Sequence, residues 1–266
     1  MPQLAEHIPI NKQRTSCAEK NDKLGWKAGF SIEYYGMTLG VRTNNPDRLD
    51  QLRSMLPKGC KPSDAREVDV LLSLIEGKSA RRKGVKNYHI VYDAWSRIAR
   101  TMDFDEALAT FESGLRLRLA THCPERLFLS CPVVSWKGKA VFILGETGSG
   151  VSTLIDALVE AGGEVFSKEF ALIDSEGMVC SFDRPERSPI EPGMILLPRY
   201  EEGRHFRPGK LTAGKAALEL FVKVPSAQLN PARALGRLAL LAGAAPAFRG
   251  RRGEADQVIR FIERKL

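Results

Sequence analysis

Apolar and polar residues alternate along the first part of the chain in the manner of short strands. Between residues 26 and 44 the alternation runs on both sides of Gly36, and this pattern predicts a β-hairpin. The next segment, residues 46–59, begins at an Asn-Pro-Asp boundary and places its leucines at helical spacing. We expect a short helix there, ended by Pro57 and Gly59.

The following segments continue the strand pattern. Strands are predicted at residues 68–77 and 87–102, with a turn rich in glycine and lysine between them. Together with the hairpin and the helix, they indicate a small α+β domain over residues 26–103. Residues 1–25 are polar and show no apolar periodicity, so we expect a disordered or loosely attached tail.

Beyond residue 103 the apolar spacing changes to three and four. This spacing continues through residues 105–123, which predicts a helix that is capped by Asp103 or Asp105 and leads into a second domain, residues 104–266. Strands and helices are then expected to alternate. Strands are predicted at 126–136, 139–145, 164–174, 178–184 and 194–200, and helices at 152–163 and over a final region, 213–266.

The composition fits a globular protein with an anionic partner. Of the 266 residues, 43% are hydrophobic, which is enough for a core, and the net charge is +8. A nucleotide, an acidic peptide or a nucleic acid would each suit that charge. The basic clusters at residues 78–86 and 249–252 lack the interleaved aromatics of a single-strand binding groove. We interpret both clusters as solvated surface, and nucleic-acid binding is the least favoured of the three.

The sequence contains no pattern typical of a membrane or secretory segment. No apolar stretch reaches the roughly eighteen residues that a membrane helix needs, and the polar N-terminus has no apolar signal region. The cysteines are spread without a C-x-x-C pair and the histidines are scattered. We therefore expect a cytoplasmic protein without membrane contact, a disulfide framework or a histidine metal site.

One segment carries the pattern of a phosphate-binding P-loop. Residues 138–155, GKAVFILGETGSGVSTLI, place a glycine-rich loop between an apolar strand and an apolar-periodic helix. Glycines let consecutive backbone N–H groups turn toward an anion, and the helix presents its N-terminal dipole to the same charge. The predicted nucleotide-binding residues are Gly145, Glu146, Thr147, Gly148, Ser149, Gly150, Val151, Ser152 and Thr153.

This loop departs from the pattern G-x-x-x-x-G-K-[ST] at the lysine. Val151 stands where the lysine normally contacts the terminal phosphates, and valine can neither donate a hydrogen bond nor neutralise charge. Ser152 is retained where a hydroxyl would bind Mg²⁺, and Thr153 adds a possible phosphate contact. The loop therefore predicts phosphate binding and leaves catalysis open.

From these motifs the chain resembles the HPr kinase/phosphorylase superfamily, in particular bacterial HPr-kinase-like proteins with a small N-terminal domain. The resemblance covers about residues 30–253 and rests on YYGMTLGVRTNN, VVSWKGKAVFILGETGSG, FSKEFALIDSEGMV and LLPRY followed by FRPGKLTAGKAALELF. It implies an α/β protein whose P-loop HPr-kinase-like C-terminal domain follows a small α+β domain. It also implies ATP or ADP with Mg²⁺, phosphoryl transfer to a serine hydroxyl of a peptide or protein, and a homo-oligomer.

Three polar positions of the family pattern are changed in this chain. The P-loop lysine is Val151, and a histidine common on the preceding strand matches Ser130. The acidic base, which the resemblance places on the strand after the first helix, matches Lys168. The neighbouring Glu169 remains as a candidate base or Mg²⁺ ligand, and Ser152 remains as the other candidate Mg²⁺ ligand.

Two hypotheses follow from these changes. In the first, the protein is a serine-kinase-like phosphotransferase in which the Lys168 ammonium contacts the phosphates and Glu169 acts as base. In the second, the losses indicate a pseudokinase, a binding or regulatory module that holds a nucleotide or another anion. Arg199, Arg204 and Arg207 lie in a later loop, where they either approach the nucleotide or an acidic acceptor, or remain solvated.

Overall fold

The computed structural model describes residues 6–13, 15–77, 86–146 and 148–266. The chain is a mixed α/β protein that divides into two compact units, Met1–Pro124 and Glu125–Leu266. The predicted glycine- and lysine-rich turn, which holds most of the first basic cluster, lies outside the described residues, as does Thr147. None of the helices in the described part is long and apolar enough to cross a membrane.

The first unit is built on a mixed sheet with the strand order β4-β2-β3-β6-β7-β8. Its strands are β1 Ile10–Asn11, β2 Ala28–Tyr34, β3 Met37–Thr43, β4 Lys61–Ser63, β5 Glu67–Val68, β6 Val70–Ile75, β7 His89–Asp93 and β8 Ser96–Thr101. Its helices are α1 Ser16–Asp22, α2 Leu49–Ser54, which follows a 3-10 turn at Pro46–Arg48, and α3 Phe104–His122.

The hairpin predicted around Gly36 is confirmed. β2 and β3 are antiparallel, and Tyr35 and Gly36 connect them with φ of 44° and 77°, the left-handed pair that a two-residue hairpin turn requires. The segment predicted as one strand over 87–102 is a second hairpin, β7 and β8. Ala94 has a φ of 51° and turns the chain there, a conformation that the apolar pattern does not reveal.

The structure places the boundary between the units 21 residues later than the predicted end of the first domain, after Pro124 instead of residue 103. Asp103 caps α3 as expected, since its Oδ1 accepts a hydrogen bond of 2.9 Å from the amide of Asp105. The apolar face of α3, which includes Phe111 and Leu115, packs on β6, β7 and β8. The helix therefore belongs to the first unit because that sheet buries its apolar face.

Part of the predicted N-terminal tail also has secondary structure in the first unit. β1 pairs with β5, and α1 begins after Thr15, whose side chain caps it. Arg42 is buried in the sheet, and its Nη1 donates a hydrogen bond of 2.6 Å to Asp22 at the end of α1. A buried guanidinium needs such a partner, which is a physical reason for the segment to pack here.

The second unit has a central mixed sheet with the order β12-β10-β11-β15-β17-β16 and a small antiparallel sheet, β14-β13-β9. The strands are β9 Leu127–Ser130, β10 Val133–Trp136, β11 Lys139–Ile143, β12 Glu164–Ser167, β13 Phe170–Ile173, β14 Val179–Ser181, β15 Glu191–Tyr200, β16 Gly209–Leu211 and β17 Ala247–Arg252. The helices are α4 Val151–Glu160, α5 Ala213–Phe221, α6 Pro231–Ala244 and α7 Ala255–Lys265.

Helices cover both faces of the central sheet. Along β11, Val141 and Ile143 face the cluster that includes α4 and α7, whereas Ala140 and Phe142 face the cluster that includes α5, α6 and the small sheet. This alternation fits a strand buried on both sides. As a result, the loop after β11 emerges at the edge of the sheet, between the two layers.

Two of the predicted strands are each divided between the two sheets. The segment 126–136 forms β9 and β10, and the segment 164–174 forms β12 and β13. The two crossings lie side by side, because Val133 pairs with Ser167 in the central sheet while Ser130 pairs with Phe170 in the small one. Sequence pattern alone does not show such a change of sheet.

The final region, 213–266, is not wholly helical as predicted. β17 lies between α6 and α7 and pairs in parallel with β15, from Ile195 opposite Ala247 to Tyr200 opposite Arg252. Its sequence, AFRGRR, has no clear alternation, and its place in the sheet depends on this long-range pairing. The second basic cluster, predicted to be solvated surface, is therefore part of a strand.

Candidate phosphate-binding site

Three parallel strands of the second unit, β11, β15 and β17, end at the same edge of the central sheet. The glycine loop, residues 145–150, follows β11 and leads into α4. β15 ends at Tyr200 and β17 ends at Arg252. In open α/β sheets the carboxyl ends of the strands are the usual place for a ligand.

The glycine loop has the backbone conformation that its glycines permit. Gly148 and Gly150 have φ of 82° and 77°, in the left-handed region that favours glycine. Between them, Ser149 closes a turn, since its amide donates a hydrogen bond of 3.0 Å and its hydroxyl one of 2.6 Å to the carbonyl oxygen of Glu146. The chain then enters α4 directly from Gly150.

The first turn of α4 has no side-chain cap. Gly150 occupies the cap position without a side chain to accept a hydrogen bond, and no acidic residue lies in the first turn. The helices α3, α5 and α6 instead follow the cap residues Asp103, Thr212 and Asn230, whose side chains each accept a backbone N–H, whereas α7, like α4, has no side-chain cap. The N-terminal N–H groups and the dipole of α4 are thus disposed to receive an anion.

The glycine loop borders a cleft of about 830 Å³ at this edge, which also contacts the ends of β15, β17 and α5. Four cationic side chains and two carboxylates line it, namely Arg199, Lys223, Arg249, Arg251, Glu146 and Glu219. Arg249 forms an ion pair of 2.5 Å with Glu219, and Arg251 one of 2.8 Å with Glu201. The excess of positive charge suits a phosphate ligand.

Arg252 is buried directly behind the glycine loop. Its side chain is 2% exposed, Nη2 donates to the carbonyl oxygen of Gly150 at 2.6 Å, and Nη1 donates to that of Gly253 at 2.8 Å. Its Nε has no hydrogen-bond partner among the described residues. Burial lowers the pKa of this guanidinium, while Glu254 and Tyr200 raise it in part. A cation is therefore held at the N-terminus of α4.

Lys223 approaches the loop from the end of α5. Its Nζ donates a hydrogen bond of 3.4 Å to the carbonyl oxygen of Gly145, and the side chain is half-buried at the wall of the cleft. The backbone is fixed at this point, because the amide of Ser130 donates a hydrogen bond of 2.7 Å to the carbonyl oxygen of Lys223. A second cation thus reaches the glycine loop.

Val151 takes part in packing. Its side chain joins the apolar cluster beneath α4 and α7, and a Cβ at Gly145 would overlap with Cγ2 of Val151 and Oγ of Ser149. The isopropyl group therefore fills the space beside the first glycine of the loop. Position 151 contributes packing of the loop and no charge.

Lys168 and Glu169, the predicted catalytic pair, form the exposed turn between β12 and β13. They do not line the cleft. The turn nevertheless lies at the same edge as the glycine loop, because β12 is parallel to β11 with β10 between them. Two strand spacings are about 10 Å. The structure thus brings the pair to the edge without bringing it into the cleft.

Asp183 organises that turn. Its Oδ2 accepts a hydrogen bond of 2.8 Å from the amide of Lys168 and lies 3.5 Å from the hydroxyl of Ser167, which donates to the closer carbonyl oxygen of Phe170. The Ser167 hydroxyl also accepts the amide of Phe182 at 3.3 Å. Asp183 is half-buried. It contacts Lys168, the position that matches the predicted base, although the two residues are 15 positions apart in the sequence.

The remaining predicted residues are divided between the loop and its surroundings. Ser152 and Thr153 are exposed in the first turn of α4, and Ser130 is exposed at the end of β9. Arg199 lines the cleft, whereas Arg204 forms an ion pair with Glu201. Arg204 and then Arg251 lower the pKa of Glu201. Within the described ranges, no group of three or more His, Cys, Asp or Glu residues is arranged to hold a metal ion.

Sequence reasoning missed the cationic residues Lys223 and Arg252. Lys223 is 78 positions from the glycine that it contacts, and Arg252 is 102 positions from its partner. Arg252 belongs to the basic cluster that was interpreted as solvated surface. A strand prediction for residues 247–252 would have placed that cluster at the carboxyl edge, but the local pattern does not support one.

Comparison with protein-family models gives no match for this chain, and comparison with curated proteins gives no significant similarity. The resemblance to HPr kinase/phosphorylase therefore stays a prediction.

Proposed function

We propose that the second unit binds the phosphates of a nucleotide at the glycine loop and acts as a catalytically degenerate, kinase-like binding module. The observation that carries this proposal is the glycine loop, which borders a cationic cleft at the carboxyl edge of three parallel strands and leads directly into the uncapped N-terminus of α4. Backbone amides and a helix dipole bind phosphate without the P-loop lysine.

Three positions favour phosphate binding over efficient phosphoryl transfer. Val151 packs against Gly145 and offers no donor, and Lys168 and Glu169 lie outside the cleft. Loss of a donor aimed at transition-state charge costs on the order of 10² to 10³ in rate, and loss of an acid/base group typically about 10² to 10⁴. The affinity for phosphate is less sensitive to these losses, since most of the hydrogen bonds to phosphate come from the loop backbone.

Magnesium would enter with the nucleotide. Mg²⁺ in phosphate sites is held by one or two protein oxygens together with phosphate oxygens and water. The Ser152 hydroxyl in the first turn of α4 fits such a role, and Glu169, the predicted carboxylate ligand, lies at the same sheet edge. These two residues are the proposed protein donors.

Calorimetric titration of the full chain with ATP, ADP or pyrophosphate, each with Mg²⁺, tests the proposal. We expect saturable binding, which Ser152→Asp abolishes because a carboxylate at the helix N-terminus repels phosphate. That substitution is favourable for the helix itself by about 0.3–1 kcal/mol, so loss of binding would not reflect unfolding. Ser152→Ala is the matched variant: it removes only the proposed Mg²⁺ ligand, so binding should be weakened but retained through the backbone amides. Absence of binding by the wild-type chain at millimolar ligand would refute the proposal.

A second candidate function is phosphoryl transfer to a serine hydroxyl of a peptide or protein. The observation that favours it is the location of the Lys168–Glu169 turn at the edge that holds the glycine loop. The test is phosphate release from Mg²⁺-ATP by the wild-type chain and by Lys168→Ala. Turnover that collapses in the variant supports transfer with a relocated lysine. Turnover that persists in the variant rules out that role for Lys168. If the wild-type chain shows no turnover, phosphoryl transfer is refuted and the binding module remains as the proposed function.

A further inference from the structure

We propose that Lys223 supplies the cation that Val151 lacks and binds the terminal phosphates of a nucleotide or of pyrophosphate. The inference rests on the proposed function, because it assigns a residue to the same phosphate site. Lys223 lies 72 positions after Val151, and it reaches the loop from the turn that follows α5 rather than from α4. No part of the P-loop pattern points to it.

The position of Lys223 is defined by contacts on three sides. The Ser130 amide holds its carbonyl oxygen at 2.7 Å, its own amide donates to the Leu220 carbonyl at 2.9 Å, and its Nζ reaches the Gly145 carbonyl at 3.4 Å. The first two contacts fix the backbone at the end of α5. The third places the ammonium beside the first glycine of the loop, where the cleft opens.

Lys223 also differs from Arg249 and Arg251 of the cleft in its charge partners. Arg249 and Arg251 are each paired with a carboxylate, whereas no described carboxylate lies within 4.0 Å of the Lys223 ammonium. An ammonium has three N–H donors, and the Gly145 carbonyl accepts one of them. Because Lys223 lines the cleft, a phosphate oxygen bound there would accept from the other donors and neutralise the charge.

Val151 and Lys223 are complementary around Gly145. The valine side chain occupies the space beside this glycine from the α4 side, and the lysine contacts its carbonyl oxygen from the α5 side. A lysine at position 151 would place a second ammonium near the first, and like charges in one site repel. We therefore assign a single cation to Gly145, and in this chain it comes from the turn after α5.

Pyrophosphate and Mg²⁺-ADP are the probes, with calorimetry on the full chain. We expect Lys223→Met to weaken both by about 10- to 100-fold, the range for a lost hydrogen bond between charged groups. Lys215→Met is the matched control, because Lys215 is exposed in the first turn of α5 and should leave affinity unchanged. Lys223→Arg should retain most of the affinity, since it keeps the charge.

Val151→Lys, made in two backgrounds, gives a second measurement that does not depend on Lys223→Met alone. The new lysine should raise affinity about tenfold or more in Lys223→Met and by less than about threefold in the wild-type chain, because the two positions serve one cation site. Equal gains in both backgrounds would overturn the inference. So would wild-type affinity in Lys223→Met, and in that case the proposed phosphate site would stand. Failure of the wild-type chain to bind either probe would refute the proposed function itself.

Discussion

The Nη2 atom of Arg252 donates a hydrogen bond of 2.6 Å to the carbonyl oxygen of Gly150, the residue from which α4 begins. This hydrogen bond fixes β17 to the glycine loop that follows β11. A Cβ at position 150 would lie 2.8 Å from the same nitrogen, so the glycine is required by this contact as well as by its positive φ. Both proposals depend on this arrangement, because it holds the N-terminus of α4 at the edge.

Arg252→Met should destabilise the second unit by about 2–4 kcal/mol, because the buried carbonyl oxygen of Gly253 and the half-buried one of Gly150 lose a charged donor. Urea denaturation and hydrogen exchange of the α4 amides measure the loss. Arg251→Met is the control, since Arg251 is exposed and its ion pair with Glu201 is worth about 1 kcal/mol or less. Equal stability of the two variants would contradict the structural role given to Arg252.

Gly145→Ala should destabilise the glycine loop by about 1–3 kcal/mol, because the new methyl group overlaps with the Val151 side chain. Val151→Ala in the same chain should restore part of the loss, and a double-mutant cycle measures the coupling. Gly236→Ala is the control. Gly236 lies within α6 with open space around its Cβ position, so alanine should stabilise that helix by up to about 1 kcal/mol. Additive effects at 145 and 151 would contradict their contact.

Asp183→Ala should loosen the turn between β12 and β13. Loss of the 2.8 Å bond to the Lys168 amide should speed hydrogen exchange of that amide by about fivefold or more, as expected for about 1 kcal/mol. Asp183→Asn keeps an acceptor oxygen and is the matched variant. Unchanged exchange in Asp183→Ala would show that the turn is ordered by other contacts.

The stability of the first unit should fall in acid because of Glu76. A hydrogen bond from Arg48, 2.7 Å long, together with that from Asn45, lowers the pKa of Glu76 from 4.5 to about 2. A lowered pKa stabilises the folded state above pH 4.5, and this contribution is lost as pH falls from about 4.5 to about 2.

With screening by solvent, the contribution of Glu76 is about 1–2 kcal/mol. Hydrogen exchange of the β6 amides between pH 5 and pH 2 should show a shallower dependence in Glu76→Gln than in the wild-type chain. The control is Glu33→Gln, because Glu33 is exposed on β2 without an ion pair in the described part of the structure. The same slope in wild type and Glu76→Gln would refute the assignment.

Local pattern was sufficient to predict the two elements that flank the glycine loop and the hairpin at Gly36. The apolar strand before Gly145, the helix after Gly150 and the hairpin at Gly36 each follow from residues within one turn or one strand. Their geometry depends on glycine conformation and on apolar periodicity, which a single sequence displays directly.

The parts that escaped prediction depend on distant pairing. β17 has strand geometry because β15 aligns with it, and Lys223 reaches Gly145 because α5 packs on the central sheet. Lys168 likewise lies at the same sheet edge as the glycine loop because β10 lies between β12 and β11. None of these neighbours is close in sequence, so no local pattern reveals them.

The parallel order β11, β15, β17 also has a consequence for synthesis. Strand β11 is made more than a hundred residues before β17, yet the cationic edge is complete only when Arg252 is in place. Contacts of such long separation form late and slowly in folding. During translation, the glycine loop would therefore acquire its full set of neighbours only after β17 has been made, and ligand binding would report that β17 has joined the central sheet.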